Sequence, residues 1–215
     1  MLIILTSERE LDNEAQKLNA LFGAGLELLH FRKPTLDIEG YRKVLQQVDA
    51  KFYKRIMLHQ YHELVVEFGL RGVHLQEQPR YDLGENLASY VANFNAQGYK
   101  VSSSFHTKEE IAKDGALFEY ALLSPVFGSI SKAGYEGKGF DVNDLPKHTI
   151  IGMGGINEQT IAKTYELGFK GIGVLGGIWN VDNYLDAFQS ILRTDVACYV
   201  SRANYASTAN SISKK

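Results

Sequence analysis

The sequence predicts an α/β protein, a single-domain (β/α)8 TIM barrel. Three observations predict it: eight short apolar runs, helix-period segments between them, and no linker anywhere in the 215 residues. Parallel strands require right-handed helical crossovers, and closing the sheet removes the two edges that an open doubly wound sheet would leave. A chain of this length buries about 70% of the surface its unfolded form exposes, enough for one sizeable core.

The first strand is expected over Leu2 to Leu5. Ser7 follows as an N-cap with Glu10 three residues on, and Ala15, Leu18, Leu21 and Phe22 give the helical spacing that Gly23 and Gly25 end. Leu26 to Phe31 is the second strand, stopped near Pro34, and Ile38 to Val48 the second helix. Ile56 to Leu58 is the third strand, Glu63 to Phe68 a short helix closed by Gly69, and Gly72 to Leu75 the fourth strand. Glu77 to Gly84 reads as turn-rich, and Leu87 to Phe94 as a helix capped by Gly98. Lys100 to Ser103 is the fifth strand, with Thr107 opening a helix through Lys113. Tyr120 to Leu123 is the sixth, ahead of a long glycine-rich loop to Pro146; Thr149 to Gly152 is the seventh, with Asn157 capping a helix to Leu167. Gly171 to Leu175 is the eighth, followed by a last helix over Val181 to Leu192. Residues 1–193 are thus assigned to the barrel, and the Ser/Asn-rich 194–215 to a loosely ordered extension.

A net charge of -2 leaves no electrostatic footprint for nucleic acid or an anionic membrane, so neither is expected as a partner. No apolar run approaches the roughly 20 residues that span a bilayer, and Met1 to Thr6 carries no basic leader. The single Cys198 cannot form an internal disulfide, and the cytoplasm is the expected location.

In a barrel of this kind the active site forms at the carboxyl ends of the strands. At Leu122 to Lys132 an apolar run ends in small hydroxyl residues and one cation, a pattern that suits a phosphate held by Ser129, Ser131 and Lys132. In His30-Phe31-Arg32-Lys33-Pro34, alternation sends His30 and Arg32 to one face and Arg32 into the mouth, where its partner is either a bound diphosphate or a neighbouring carboxylate. His59 and Gln60, Gln76 to Gln78, and Ser104 to His106 place hydrogen-bonding groups after the third to fifth strands, whereas His74 lies within a strand and reads as a core histidine. Gly152-Met153-Gly154-Gly155-Ile156 leaves the seventh strand directly into the helix that Asn157 caps and is expected to offer a phosphate bare backbone N–H groups and the positive end of the helix dipole, with Gly176-Gly177 as the matching half. The pattern Gly171 to Gly176 meets the dinucleotide spacing by accident, since its first glycines lie inside a strand. No Walker lysine, zinc-spaced Cys/His set or serine elbow occurs.

His30 to Pro34, Gly72-Val73-His74-Leu75, Ser129-Ile130-Ser131-Lys132, Gly154-Gly155-Ile156 and Gly173-Val174-Leu175-Gly176, in this order and spacing, resemble the thiamine phosphate synthase (thiamine-phosphate pyrophosphorylase) family and its relative, the thiazole tautomerase TenI. The resemblance spans Leu2 to about Leu192 and implies the same barrel. It implies a transferase of thiamine biosynthesis in which a hydroxymethylpyrimidine diphosphate loses pyrophosphate and a thiazole phosphate captures the resulting cation. By position, Arg32 and Lys132 would be catalytic. His30, Arg32, Lys33, His59, Ser104 and Lys132 would hold the pyrimidine diphosphate. Ser129, Ile130, Ser131, Gly154, Gly155, Leu175, Gly176 and Gly177 would hold the thiazole phosphate.

The family's usual second-strand Gln is His30 here, its following Lys is Pro34, its Asn-Asp after the third strand is His59-Gln60, and its acidic residue after the fourth is Pro79. The two lost carboxylates are the family's magnesium ligands, so no protein metal ligand is assigned. Mg²⁺ is expected to be held mainly by the substrate diphosphate, with Glu77 the nearest substitute, and no organic cofactor is expected. A TenI-like tautomerase and a non-catalytic phosphate-ligand sensor are the alternatives; the tautomerase's catalytic histidine falls on Pro125. The expected partners are phosphorylated small molecules, with a homo-oligomer left open.

Overall fold

The computed structural model describes residues 1–128 and 137–212, the last eleven of these, 202–212, by their backbone alone. Eight strands form a closed, all-parallel barrel in which each pairs with the next and the eighth pairs with the first. They are β1 (Leu2–Leu5), β2 (Leu28–Phe31), β3 (Ile56–Leu58), β4 (Gly72–Leu75), β5 (Lys100–Phe105), β6 (Ala121–Leu123), β7 (Ile150–Met153) and β8 (Gly171–Val174). Between and after them run α1 (Glu14–Gly23), α2 (Ile38–Leu45), α3 (Glu63–Phe68), α4 (Glu77–Leu83), α5 (Leu87–Ala96), α6 (Lys108–Asp114), α7 (Ile161–Glu166), α8 (Gly176–Trp179) and α9 (Tyr184–Ile212).

Strand alternation divides the core into two. Ile4, Leu29, Phe31, Leu58, Val73 and Val174 belong to the large layer between sheet and helices. Ile3, Leu5, Leu28, Met57, Tyr120, Leu122 and Ile151 form a second cluster inside the barrel. At the remaining inward positions of β2, β4 and β5 stand His30, His74 and Ser102, all buried. The interior is therefore aliphatic on one side and polar on the other.

Several local expectations need correction. The first helix starts at Glu14 rather than at Ser7, whose Oγ accepts from the backbone N–H of Arg9 at 3.2 Å and closes a turn. The second helix ends at Leu45, three residues early; its cap is Asp37, which accepts from Gly40 N–H at 2.8 Å. Glu77 to Leu83 is a helix and not a turn, because Pro79 sits in its first turn, where a missing N–H removes no intrahelical bond. Asn157 does not cap α7. Its Oδ1 accepts from the N–H groups of Gln159 (2.9 Å) and Thr160 (3.2 Å) in a turn of its own, and the helix begins at Ile161.

The last helix continues 20 residues past Leu192, so the stretch from Thr194 to Ile212 is helical rather than irregular. Near its start Asp195 is buried and accepts a hydrogen bond from the Tyr165 hydroxyl of α7. Among the described residues no helix is long and apolar enough to cross a membrane.

Candidate functional site

A cavity of about 1070 Å³ opens where the strands end. Its walls come from the segments following the strands, as the barrel geometry requires. Arg32 is fixed at its rim by a backbone clasp: its N–H donates to Thr6 Oγ1 and the Thr6 hydroxyl donates to its carbonyl, both at 2.8 Å. The guanidinium forms an ion pair with Glu8, three residues past the end of β1, a position that no motif of the sequence marks. Both side chains are partly in solvent, 26% and 51% exposed, so the pair contributes only about 0–1 kcal/mol and an arriving anion can take the arginine over.

Two residues expected at this diphosphate site do not reach it. Lys33 is fully buried. Its ammonium lies 2.8 Å from the Glu14 carboxylate and donates to the Ser7 carbonyl at 2.9 Å, because the chain turns under the β1–α1 loop as it leaves β2. Burial pushes the Glu14 carboxyl up, and the Lys33 ammonium pulls it back. His30 is also fully buried, one layer beneath the cavity; its Nδ1 lies 2.8 Å from His59 Nε2 and its Nε2 2.6 Å from the Tyr120 hydroxyl.

His59 does reach the cavity, as does Ser104, whose hydroxyl lies 2.7 Å from His74 Nε2. His74 is the core histidine the sequence suggested, with its other ring nitrogen 2.8 Å from Ser102 Oγ. Burial lowers the pKa of all three histidines, that of His30 to about 3, so all three rings are neutral near pH 7. His106 lies in the wall as well; its Nδ1 is 2.8 Å from the Ser124 carbonyl and donates to it.

Opposite Arg32 the wall is bare backbone. Gly154 and Gly155 take left-handed conformations (φ 96° and 66°), and a Cβ on Gly155 would stand 2.5 Å from the Gly128 carbonyl oxygen. Because α7 starts only at Ile161, this half of the cup presents turn amides and not a helix terminus. Leu175, Gly176 and Gly177 line the facing part. Ser129, Ile130, Ser131 and Lys132 lie outside the described residues.

Among the described residues the carboxylates lining the cavity are Glu8, paired with Arg32, and Glu77. Gln60 turns away, its Oε1 accepting from the Tyr41 hydroxyl at 2.8 Å, and Pro79 has no ligand atom. These residues do not reproduce a two-carboxylate magnesium site.

The family model for thiamine monophosphate synthase matches residues 1–178. The thiamine-phosphate synthase of Listeria welshimeri is 27% identical over 148 residues, covering 65% of this chain and 68% of that protein. The solved thiamine phosphate pyrophosphorylase of Bacteroides thetaiotaomicron superposes with a TM-score of 0.70 at 25% identity, covering 90% of this chain and 96% of the other. That of Pyrococcus furiosus gives 0.72 at 14% identity, covering 92% and 96%, a likeness of fold.

Proposed function

Because the chain belongs to the thiamine monophosphate synthase family, we propose that it joins a hydroxymethylpyrimidine diphosphate to a thiazole phosphate and releases pyrophosphate. In this reading the methylene–oxygen bond of the pyrimidine breaks and pyrophosphate leaves with the bonding pair. The thiazole nitrogen then donates its lone pair to the methylene carbon. Negative charge grows on the leaving group, so cations fixed beside it stabilise the transition state more than the ground state. Arg32 and Lys132 take that role, and no general base is needed.

The observation that carries the reading is the polarity of the cavity: a replaceable arginine stands on one wall, and the Gly154–Gly155 turn and Gly176–Gly177 at the start of α8 line the other, room for two anionic groups with the reacting atoms between. His59 and Ser104 are placed for the pyrimidine, and Gly154, Gly155, Leu175, Gly176 and Gly177 for the thiazole phosphate. Ser129 to Ser131 belong with the latter by sequence. Mg²⁺ enters as the counter-ion carried by the diphosphate. The setting proposed is the cytoplasm.

The test is turnover of the two substrates over a Mg²⁺ titration, with thiamine monophosphate and pyrophosphate measured together. Their equimolar appearance supports the reading, and no product where a positive control turns over sinks it. His59 and His106 on the cavity wall favour one rival, tautomerisation of a thiazole carboxylate phosphate. That reading predicts isomerisation which falls on His59→Asn or His106→Asn substitution.

A further inference from the structure

Beneath the cavity, β2, the end of β3 and β4 bring His30, His59 and His74 together, and one ring nitrogen from each lies within 4.8 Å of the other two. We propose that these three imidazoles form a binding site for a borderline divalent transition metal of the zinc and cobalt class, with its fourth position open to the cavity. The site is independent of the thiamine reading, and magnesium would not occupy it, since that ion prefers oxygen ligands and dehydrates reluctantly.

Three observations converge. The rings pack closely, with centroids of His59 and His74 4.2 Å apart, of His30 and His74 4.8 Å, and of His30 and His59 5.0 Å. A metal bound at about 2.1 Å from each nitrogen needs a contraction of the widest pair by roughly an ångström, which side-chain rotation supplies. Second, Nδ1 of His59 is buried without a hydrogen-bond partner among the described residues, a polar group left for a ligand to meet. Third, each ring that gives one nitrogen to the metal keeps a partner for the other: with Nδ1 of His30 as ligand the Tyr120 hydroxyl stays on its Nε2, and His74 keeps either Ser102 or Ser104, while the metal replaces the His30–His59 hydrogen bond and the other serine. His59 borders the cavity, whereas His30 and His74 are closed off, so water or an anionic ligand can complete the coordination from that side alone.

The untagged full chain, exposed to Zn²⁺ and passed through a desalting column, should retain one equivalent, and Co²⁺ in its place should give the visible absorption of a nitrogen-rich tetrahedral site. A thousandfold excess of Mg²⁺ should displace neither. Both His59→Asn and His30→Gln should weaken Zn²⁺ binding by more than about 100-fold, since even outer-shell losses cost 10–100-fold, while circular dichroism shows the folded barrel. If either variant fails to fold, the Co²⁺ spectrum of the wild-type chain decides alone. Substoichiometric Zn²⁺ in the wild type, an octahedral oxygen-type Co²⁺ spectrum, or one equivalent retained by both folded variants would overturn the proposal.

Discussion

Lys33 and Lys132 carry the same charge but have opposite consequences. Lys33 neutralises a buried carboxylate, so Lys33→Met leaves Glu14 without its counter-charge and should lower stability by about 3–5 kcal/mol, read from urea midpoints. The KM for the pyrimidine diphosphate should not move; a raised KM at unchanged stability would return Lys33 to the substrate. Under the proposed function Lys132→Ala should do the reverse, removing turnover far more than ligand binding and sparing stability, because the countercharge proposed for it matters most as pyrophosphate departs. Near-normal turnover in that variant would show the chemistry to be placed wrongly. The sequence could not separate Lys33 from Arg32, since alternation predicts facing only while the strand lasts, and β2 ends at Phe31. Nor could spacing reveal the three histidines. His30, His59 and His74 fit no local metal motif and meet only because neighbouring strands are in register, with His30 opposite Met57 and His74 opposite Ser102.

The elements between the strands were legible wherever apolar periodicity met a clear stop, as in α3, which ends at the left-handed Gly69. They were obscure where local polar chemistry competes. Pro79 made α4 look like a turn, and Asn157 and Ser7, both good caps by type, serve turns instead. The β7–α7 turn is where an element-scale test is sharpest. Gly155→Ala puts a Cβ 2.5 Å from a carbonyl oxygen in a left-handed conformation, so the turn must shift, at a cost of about 1–3 kcal/mol. Because the same turn lines the cavity where the thiazole phosphate is proposed to sit, the KM for the thiazole phosphate should rise while that for the pyrimidine diphosphate changes little. Equal effects on both would mean that the glycine serves the fold and not the phosphate.

At the scale of the molecule, the barrel was readable because eight apolar runs separated by helices leave parallel closure as the economical arrangement, and each strand pairs with its sequence neighbour. Its far boundary was not readable. Polar residues from Thr194 onward suggested loose chain, but polarity alone does not distinguish a solvated coil from the outer face of a helix, and a single buried contact decides here. Asp195 sits among apolar groups of α9, its carboxyl pushed up by burial, and takes the Tyr165 hydroxyl of α7; Cys198, one turn on, packs against the same core. A chain ending at Arg193 loses both contacts, whereas one ending at Ser201 keeps them. The shorter chain should therefore be less stable by about 1–3 kcal/mol, the range for a broken buried hydrogen bond, and its Tm should fall by about 2–4 °C for each kcal/mol. The chain ending at Ser201 keeps the Asp195–Tyr165 bond and should melt above the one ending at Arg193. Every described residue lining the cavity precedes Asp182, so both truncations should keep full-length kcat and KM below their melting temperatures. A kinetic defect confined to the chain ending at Arg193 would mean that α9 reaches the cavity and is part of the site.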